Sequence, residues 1–511
     1  MSVSMSFFAL CRKIFAFSLL SRLLGLVRDL AIAWLVGAGP AADLLAQALR
    51  LPHIFRRLLA EGSLSLALTS VFVQLSLPKG RLLYWTLHRR LFWLLGLLLI
   101  FALLCSQPLA RLLSASAQEA QKLVPLLALA LPYILFAGMA ALSMSYLHAR
   151  RSFTVPASSP LIFNCLVLLW VLLASLWPEH AVPVIVCGVS LAGLAQWLWQ
   201  EWPLRRHSKV WQEAAFSKHE LQSELRTILA AQPQGLLAAA TPHLALLCAM
   251  IFLANYGPGQ VSALFYAERL LELPLGLIGI CLGIASLPHL SLAASRRHFG
   301  RFARKLERAL HITLLLILPA MTGLWALAPT LTGLLFGHGH FAAEDLPRVA
   351  EMLVLLLPLL PAQALGRIVL TACMALGAWR MASICTLACL GLIVSLCLCG
   401  LHPVIAVACG LTGYAMFLWF WLLYVLVRQG ARLRFAPRFL LCALTCALCC
   451  ALCAQGGISL ALFLDLGAAA QVLLGLSAGL LAWLIALRLL RQRDLWRLKK
   501  LLGERGQSPK N

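Results

Sequence analysis

Charged side chains are scarce in this sequence. They make up 12% of its 511 residues, whereas 62% are hydrophobic and the mean hydropathy is +0.89. A water-soluble chain of this length needs far more polar side chains to cover its surface. Lipid accepts an apolar surface, and a helix satisfies its own backbone hydrogen bonds there. The apolar runs are long, rich in Leu and without alternation, which favours membrane helices over barrel strands.

Acidic residues are scarcer still, because 18 Asp and Glu stand against 42 Lys and Arg, a net charge of +24. We find no Asp-rich motif of the kind that a metal-dependent membrane glycosyltransferase needs, and no G-x-x-x-x-G-K-[ST] phosphate loop. In a soluble protein this positive charge would indicate a nucleic-acid partner. No RNA- or DNA-binding motif accompanies it, so basic cytoplasmic loops explain the charge better.

Fourteen hydrophobic spans can be counted along the chain, which predicts an all-α polytopic membrane protein. Their approximate limits are 14–37, 41–76, 91–108, 123–148, 155–177, 181–200, 227–254, 261–293, 309–336, 347–378, 381–400, 403–427, 437–455 and 467–490. The polar segment 201–226 divides six spans from eight. A short internal repeat, a charged residue followed by Leu-Pro, occurs at Arg50-Leu51-Pro52 and again at Glu272-Leu273-Pro274. Transporters are often built from such repeats.

The distribution of basic residues predicts the orientation. With the N-terminus in the cytoplasm, 32 of the 42 Lys and Arg residues fall on the cytoplasmic side, and only Arg111, Lys122 and Arg348 fall on the other. This bias predicts an even number of spans with both termini inside. Arg22 and Asp29 interrupt the first apolar stretch, so we interpret it as a retained helix and not as a signal peptide.

Charges inside the spans are the main functional signal. Each one costs roughly 2.5–3.5 kcal/mol at the bilayer centre, and such residues usually mark a substrate pathway. Four acids lie inside the spans, Asp29, Glu61, Glu268 and Glu272, and Asp43 lies near an outer end. The spans also contain seven arginines: Arg22, Arg28, Arg50, Arg56, Arg57, Arg269 and Arg367.

Some of these charges can pair within one helix. Arg57 and Glu61 are four residues apart, Arg269 and Glu272 are three apart, and Arg22 and Asp29 lie seven apart on one face. The arginines still exceed the acids by three, and an unpartnered buried cation is costly. An anionic ligand would supply the partner, and the planar guanidinium group suits phosphate.

Two clusters could instead bind metal. A cysteine stripe contains two C-x-x-C pairs, but cysteine is also a small hydrophobic residue, so we favour packing: Cys442, Cys446, Cys449, Cys450 and Cys453. The segment Gly337-His338-Gly339-His340 is followed by Glu344 and Asp345, and we interpret it as a solvated outer loop. We expect no metal and no cofactor.

Several motifs together carry a family resemblance. They are Ser21-Arg22-Leu23-Leu24-Gly25-Leu26-Val27-Arg28-Asp29, Gly37-Ala38-Gly39, Arg50-Leu51-Pro52, Ala60-Glu61-Gly62, Tyr266-Ala267-Glu268-Arg269-Leu270, and Ser152-Phe153-Thr154-Val155-Pro156 followed by Pro160 and Asn164. Over essentially its whole length the chain resembles the MurJ (MviN) family. These proteins are lipid II flippases of the multidrug/oligosaccharidyl-lipid/polysaccharide (MOP) exporter superfamily.

The resemblance implies two pseudo-symmetric six-helix lobes, two further C-terminal helices, and alternating access around a central cationic cavity. The corresponding segments are an N-terminal lobe at 1–200, a linker at 201–226, a C-terminal lobe at 227–427, spans 13 and 14 at 428–490, and a basic cytoplasmic tail at 491–511. The residues implied to bind the substrate diphosphate are Arg22, Arg28, Arg56 and Arg269. The expected supporting or gating charges are Asp29, Asp43, Arg50, Arg57, Glu61, Glu268, Glu272 and Arg367.

The resemblance implies a flippase, and not an enzyme, that moves the lipid-linked peptidoglycan precursor across the bacterial inner membrane. Expected partners are lipid II, membrane lipids and proteins of cell wall synthesis. Spans seven, eleven and twelve lack acidic residues, so the acid-built sodium site of some relatives is not carried over, and coupling to protons or membrane potential stays open. The alternatives are a related exporter of another lipid-linked oligosaccharide or a drug, a membrane enzyme, and a scaffold. Exporters of cationic drugs need fewer buried arginines, and a scaffold needs none.

Overall fold

The structure is a computed structural model that describes residues 7–60, 63–206, 232–280, 298–376, 402–428 and 437–489, with a few isolated positions between these ranges. The described residues form helices, turns and short connections without any strand, which confirms the predicted all-α class. Eight of the described helices are long and apolar enough to cross a membrane, or nine if a helix pair bent by 43° counts as one span. The total of fourteen spans stays a prediction.

The chain divides by its contacts into two compact units. Unit 1 comprises Met1–Phe265 and His338–Asp345, and unit 2 comprises Tyr266–Gly337 and Leu346–Asn511. Most of the predicted linker, residues 207–226, lies outside the described residues, whereas residues 201–206 continue a helix. The predicted lobe boundaries therefore stay a prediction.

Unit 1 is built from ten helices in the part of the chain that the structure describes. They are α1 (Phe7–Val36), α2 (Pro40–Ala60), α3 (Ser63–Gln74), α4 (Leu77–Leu104), α5 (Ser106–Leu113), α6 (Ala117–Ala130), α7 (Pro132–Ala149), α8 (Thr154–Ala174), α9 (Ala181–Arg206) and α10 (Gln232–Ala254). Helix α7 packs against α2, α3, α4 and α9, and α8 packs against α1 and α9. Buried aromatic side chains, among them Phe72, Tyr84 and Tyr146, fill the core between α3, α4 and α7.

Helix α11 (Gln260–Pro274) begins in unit 1 and continues into unit 2, where a π-helical stretch, Leu275–Ile280, follows Pro274. Proline supplies no backbone N–H to the helical ladder, which favours such an irregular continuation. Unit 2 holds the remaining described helices, except that the first residue of α13, Asp345, belongs to unit 1. They are α12 (Phe299–Phe336), α13 (Asp345–Leu356), α14 (Leu359–Ala375), α15 (Pro403–Arg428), α16 (Pro437–Phe463) and α17 (Ala468–Leu489).

Helices α16 and α17 pack closely against each other and against α12. Small residues make this possible, because a Cβ atom at Gly457 would lie 2.7 Å from the Leu474 carbonyl oxygen. Within the cysteine stripe, Cys446 and Cys450 are buried, and the Cys450 thiol lies 3.6 Å from the Pro319 carbonyl oxygen. These two cysteines serve helix packing, as membrane helix interfaces favour small side chains.

The close approach of α16 and α17 predicts different outcomes for two adjacent glycines. Gly457→Ala should lower the melting temperature, since its methyl group meets rigid backbone atoms of α17; overpacking typically costs about 1–3 kcal/mol. Gly456→Ala has open space around its Cβ and should be neutral or slightly stabilising. Thermal unfolding of both variants in detergent is the measurement. Equal melting temperatures would contradict the packing.

Candidate functional site

The structure places the predicted intramembrane charges on four of its helices. In unit 1, α1 carries Arg22, Arg28 and Asp29, and α2 carries Asp43, Arg50, Arg56 and Arg57; in unit 2, α11 carries Glu268, Arg269 and Glu272, and α14 carries Arg367. All of these side chains are buried or half-buried. Glu61 lies outside the described residues.

Arg28 is the best-defined cation of unit 1. Its Nε and Nη2 donate to the same Asp29 oxygen, Oδ1, at 3.0 and 2.7 Å, and its Nη1 donates to Asn164 Oδ1 on α8 at 2.7 Å. Only 14% of the Arg28 side chain and 12% of the Asp29 side chain are exposed. These bonds use three of the five guanidinium N–H groups and leave one on each Nη nitrogen for an anion.

Asn164 fixes the position of this guanidinium group. Its Nδ2 donates back to α1, to the Ser21 carbonyl oxygen at 2.9 Å and to Ser21 Oγ at 3.3 Å. A Cβ atom at Gly25 would lie 3.4 Å from Asn164 Nδ2, so the amide packs directly against α1 at this position. A buried amide with both ends satisfied is rigid. Asn164 therefore positions Arg28 and also joins α1 to α8.

The spacing of Arg22 and Asp29 suggested that they share a face, but the Asp29 carboxylate bonds to its neighbour Arg28. Arg22 is half-buried and follows Ser21, whose carbonyl oxygen accepts from Asn164. Within the described residues, no ion pair joins an acidic side chain to Arg22. Arg22 thus lies less than two helical turns from Arg28 as a second cation of α1.

Asp43 caps a helix in the structure. Its Oδ2 accepts from the backbone N–H of Gly259 at 2.6 Å, and its Oδ1 accepts from that of Ser262 at 2.7 Å. Both N–H groups lie at the start of α11, where no carbonyl of the helix can accept them. Ser262 Oγ also donates to the Ala38 carbonyl oxygen at 2.6 Å. A carboxylate also suits the positive end of the helix dipole, so Asp43 holds the first turn of α11 on unit 1.

The segment around His340, a possible metal site by its sequence, packs against the last turns of α1. The His340 backbone N–H donates to the Trp34 carbonyl oxygen at 2.9 Å, and the two rings meet edge to face. Gly37 and Gly339 have φ angles of +72° and +68°, a conformation that favours glycine. In the ranges that the structure describes, no three potential metal ligands come together. The His340 backbone and ring contribute packing here.

In unit 2, the pair expected from helical spacing is present: Arg269 Nη1 donates to Glu272 Oε2 at 3.1 Å. The Arg269 side chain is 14% exposed, and Glu268 beside it is buried. Arg367 is half-buried on α14. Arg269 is therefore a shielded cation held by an acid one turn further along α11.

Sequence reasoning missed a second buried charge in unit 1. The Glu201 carboxylate on α9 is 1% exposed, and its Oε2 accepts from Tyr84 at 2.8 Å, Ser143 at 3.1 Å and Trp197 at 3.3 Å. Its Oε1 lies 3.3 Å from His88 Nε2 and 3.6 Å from Arg205 Nε. Tyr84 and His88, one helical turn apart on α4, were the sequence signal that could have indicated a buried acid nearby. The sequence prediction places Glu201 in the linker, because residues 201–226 are polar.

Two solved structures resemble this fold. One is lipid II flippase MurJ in an inward closed conformation, with a TM-score of 0.77 and 21% identity, covering 95% of this chain and 99% of that one. The other is an inward-facing multidrug resistance transporter of the MATE family and MOP superfamily, with a TM-score of 0.64 and 14% identity, covering 80% and 96%. Both likenesses show the fold class of this chain, a bundle of membrane helices shared with these two transporters.

The sequence comparison identifies the family. Residues 32–474 match the family described as lipid II flippase MurJ. A protein of Bdellovibrio bacteriovorus named probable lipid II flippase MurJ is 30% identical over 346 residues, which cover 66% of this chain and 65% of that protein's length. The chain belongs to the MurJ family of lipid II flippases. It is a multi-pass membrane transporter of the bacterial inner membrane and not an enzyme.

The cap on α11 predicts a stability effect that is specific to Asp43. Asp43→Asn removes the charge and one of two acceptors from the helix start, so the melting temperature should fall by the equivalent of about 1–2 kcal/mol. Asp465→Asn is the control, because Asp465 is an exposed carboxylate in a turn. Thermal unfolding in detergent measures both. An equal effect of the two substitutions would contradict the cap.

Proposed function

We propose that this chain moves lipid II from the inner to the outer leaflet of the cytoplasmic membrane by alternating access, for peptidoglycan synthesis. The observation that carries the proposal is Arg28: a positioned guanidinium inside an apolar helix bundle that keeps two N–H groups for an anion. Membership in the MurJ family supports the identity of that anion. The diphosphate of the lipid-linked precursor is the ligand group that fits a cation in this setting.

Four arginines bind the diphosphate in this proposal: Arg22, Arg28, Arg56 and Arg269. Arg28 and Arg269 are each held by an acid, Asp29 and Glu272, which keeps the guanidinium in place when no substrate is bound. The anion then adds a ligand to a group that is already positioned, so less side-chain entropy is lost on binding. The remaining intramembrane charges act as a supporting or gating network: Asp29, Asp43, Arg50, Arg57, Glu61, Glu268, Glu272 and Arg367.

The lipid chain stays in the bilayer while the headgroup crosses. A charged headgroup cannot cross hydrocarbon alone, and buried guanidinium groups replace the water that it loses. The cycle needs no nucleotide in this proposal, in keeping with a sequence without a phosphate loop. The membrane potential can bias it, since one charge moved across 100 mV corresponds to roughly 2.3 kcal/mol.

The proposed orientation has both termini in the cytoplasm, because that places 32 of the 42 Lys and Arg residues on the cytoplasmic side. The proposed partners are lipid II and the surrounding membrane lipids, with proteins of cell wall synthesis as further candidates. Lipid II is consumed outside the membrane, which is the reason to expect contact with such proteins.

A complementation experiment tests the flippase proposal. The chain is expressed in bacteria depleted of their own lipid II flippase, and the fraction of lipid II cleavable by an enzyme that acts only outside the membrane is measured. The wild-type chain should restore cleavage. Arg28→Ala and Arg269→Ala should reduce it at least tenfold, since a charge-assisted hydrogen bond contributes about 1.5–3 kcal/mol.

Arg304→Ala is the matched control, because Arg304 is an exposed cation of α12 that bonds only to the Gly300 carbonyl oxygen among the described residues. It should retain full cleavage at equal expression. If all three variants restore cleavage, the chain flips lipid II and the proposed site is wrong. If the well-expressed wild-type chain restores none, the substrate assignment is wrong.

A reporter fusion tests the orientation. A green fluorescent protein fused after Asn511 should fluoresce, because it folds in the cytoplasm. Alkaline phosphatase inserted after Ser114, in the α5–α6 connection, should be active, since that enzyme needs the outside compartment. The reverse pattern would overturn the proposed orientation and with it the assignment of the basic loops.

A further inference from the structure

Unit 1 contains an apolar cleft of about 460 Å³ that the proposed transport site does not use. Its walls come from α2, α4, α5 and the α6–α7 break, and they include Leu51, Phe55, Phe101 and Leu112. Every side chain that lines it is apolar or a cysteine. Its volume falls within the range of small-molecule pockets.

Two helix breaks create the cleft. Helix α4 ends at Leu104 and α5 begins at Ser106, with Pro108 in its first turn, while α6 and α7 meet at Leu131 directly before Pro132. A proline removes a backbone hydrogen bond and bends the chain at such a point. Both breaks adjoin the same space, so the helices cannot close on it with their own side chains.

The cleft opens to the surface of unit 1. Phe101 is 62% exposed and Leu112 is 58% exposed, although both line the cleft. An apolar cavity of this kind offers water no hydrogen-bond partner, so it binds apolar groups instead. In a membrane the available apolar matter is a hydrocarbon chain.

Two cations on helices that border the cleft indicate which lipid supplies that chain. Arg111 lies on α5 and Lys122 on α6, the two helices pack against each other, and both side chains are exposed. They are two of the three basic residues predicted for this side of the membrane. No ion pair joins either of them to an acidic side chain in the described ranges, and the nearby Glu119 instead accepts from the Ala115 backbone N–H at 3.2 Å.

We propose that this cleft binds one acyl chain of an anionic phospholipid of the outer leaflet, with Arg111 and Lys122 near its phosphate. Helix α5 suits this role, because Pro108, Leu109 and Leu112 line the cleft while Arg111 lies outside it. None of the arginines proposed for transport lines the cleft, although Leu51 and Phe55 adjoin Arg50 and Arg56 in the sequence. The test of the cleft requires no transport, so it stands or falls independently of the flippase activity.

Photolabelling of the full chain in lipid nanodiscs tests the proposal. The probe is a phosphatidylglycerol with a diazirine at the end of one acyl chain, and a phosphatidylcholine with the same chain is the matched probe. Labelled peptides are mapped by mass spectrometry. The phosphatidylglycerol probe should label the segment around Phe101–Leu112 several-fold more than the phosphatidylcholine probe. Equal labelling by the two probes would overturn the headgroup assignment.

Substitutions test the apolar lining of the cleft and the two basic residues, Arg111 and Lys122, separately. Ala102→Trp fills the cleft and should abolish the labelling, whereas Leu97→Trp, at a 65% exposed position of the same helix outside the lining, should retain it. Arg111→Gln and Lys122→Gln leave the lining intact and should each reduce phosphatidylglycerol labelling about fivefold. Labelling that survives Ala102→Trp would overturn the site. Displacement of the probe by excess lipid II would assign the cleft to the substrate's prenyl chain instead.

Discussion

Hydrocarbon supplies no hydrogen bonds, and that constraint governs the charged residues that lie inside this bundle. In unit 1 one carboxylate and one amide, Asp29 and Asn164, accept from three of the five N–H groups of Arg28. The same amide bonds to the backbone at Ser21, so satisfying the charge also joins α1 to α8. A substitution at Asn164 would therefore disturb helix packing and the cation together, which makes the fold and the proposed site inseparable at this point.

Asp43 meets the same constraint at a helix end. The first N–H groups of α11 have no helical acceptor, and in an apolar surrounding water cannot replace it. The Asp43 carboxylate takes two of them and adds a charge that favours the positive end of the helix. The same helix carries Arg269 about two turns beyond Ser262. One acid of α2 thus fixes the start of the helix that carries a proposed binding residue.

Local periodicity in the sequence predicted the all-α class and one ion pair, but the spacing of Arg22 and Asp29 did not predict that Asp29 pairs with Arg28. Hydropathy gave the helices, and the i,i+3 spacing gave the pair of Arg269 and Glu272. It missed what depends on distant contacts: Asn164 meets Arg28 across 136 residues of chain, and Asp43 meets Ser262 across 219. It also assigned Glu201 to a polar linker, because composition does not reveal that Tyr84, Ser143 and Trp197 surround this carboxylate in the core.

Glu201 and Arg28 show how a structural charge differs from a charge that can bind a ligand. Glu201 is 1% exposed, receives three donors on one oxygen and has His88 and Arg205 beside the other, so core side chains enclose the carboxylate and a ligand cannot reach it. Arg28 donates three of its five N–H groups to Asp29 and Asn164 and retains the other two. Burial alone therefore does not identify a binding charge in a membrane. Unused donor capacity on a rigidly held group is the better criterion, and Arg28 meets it.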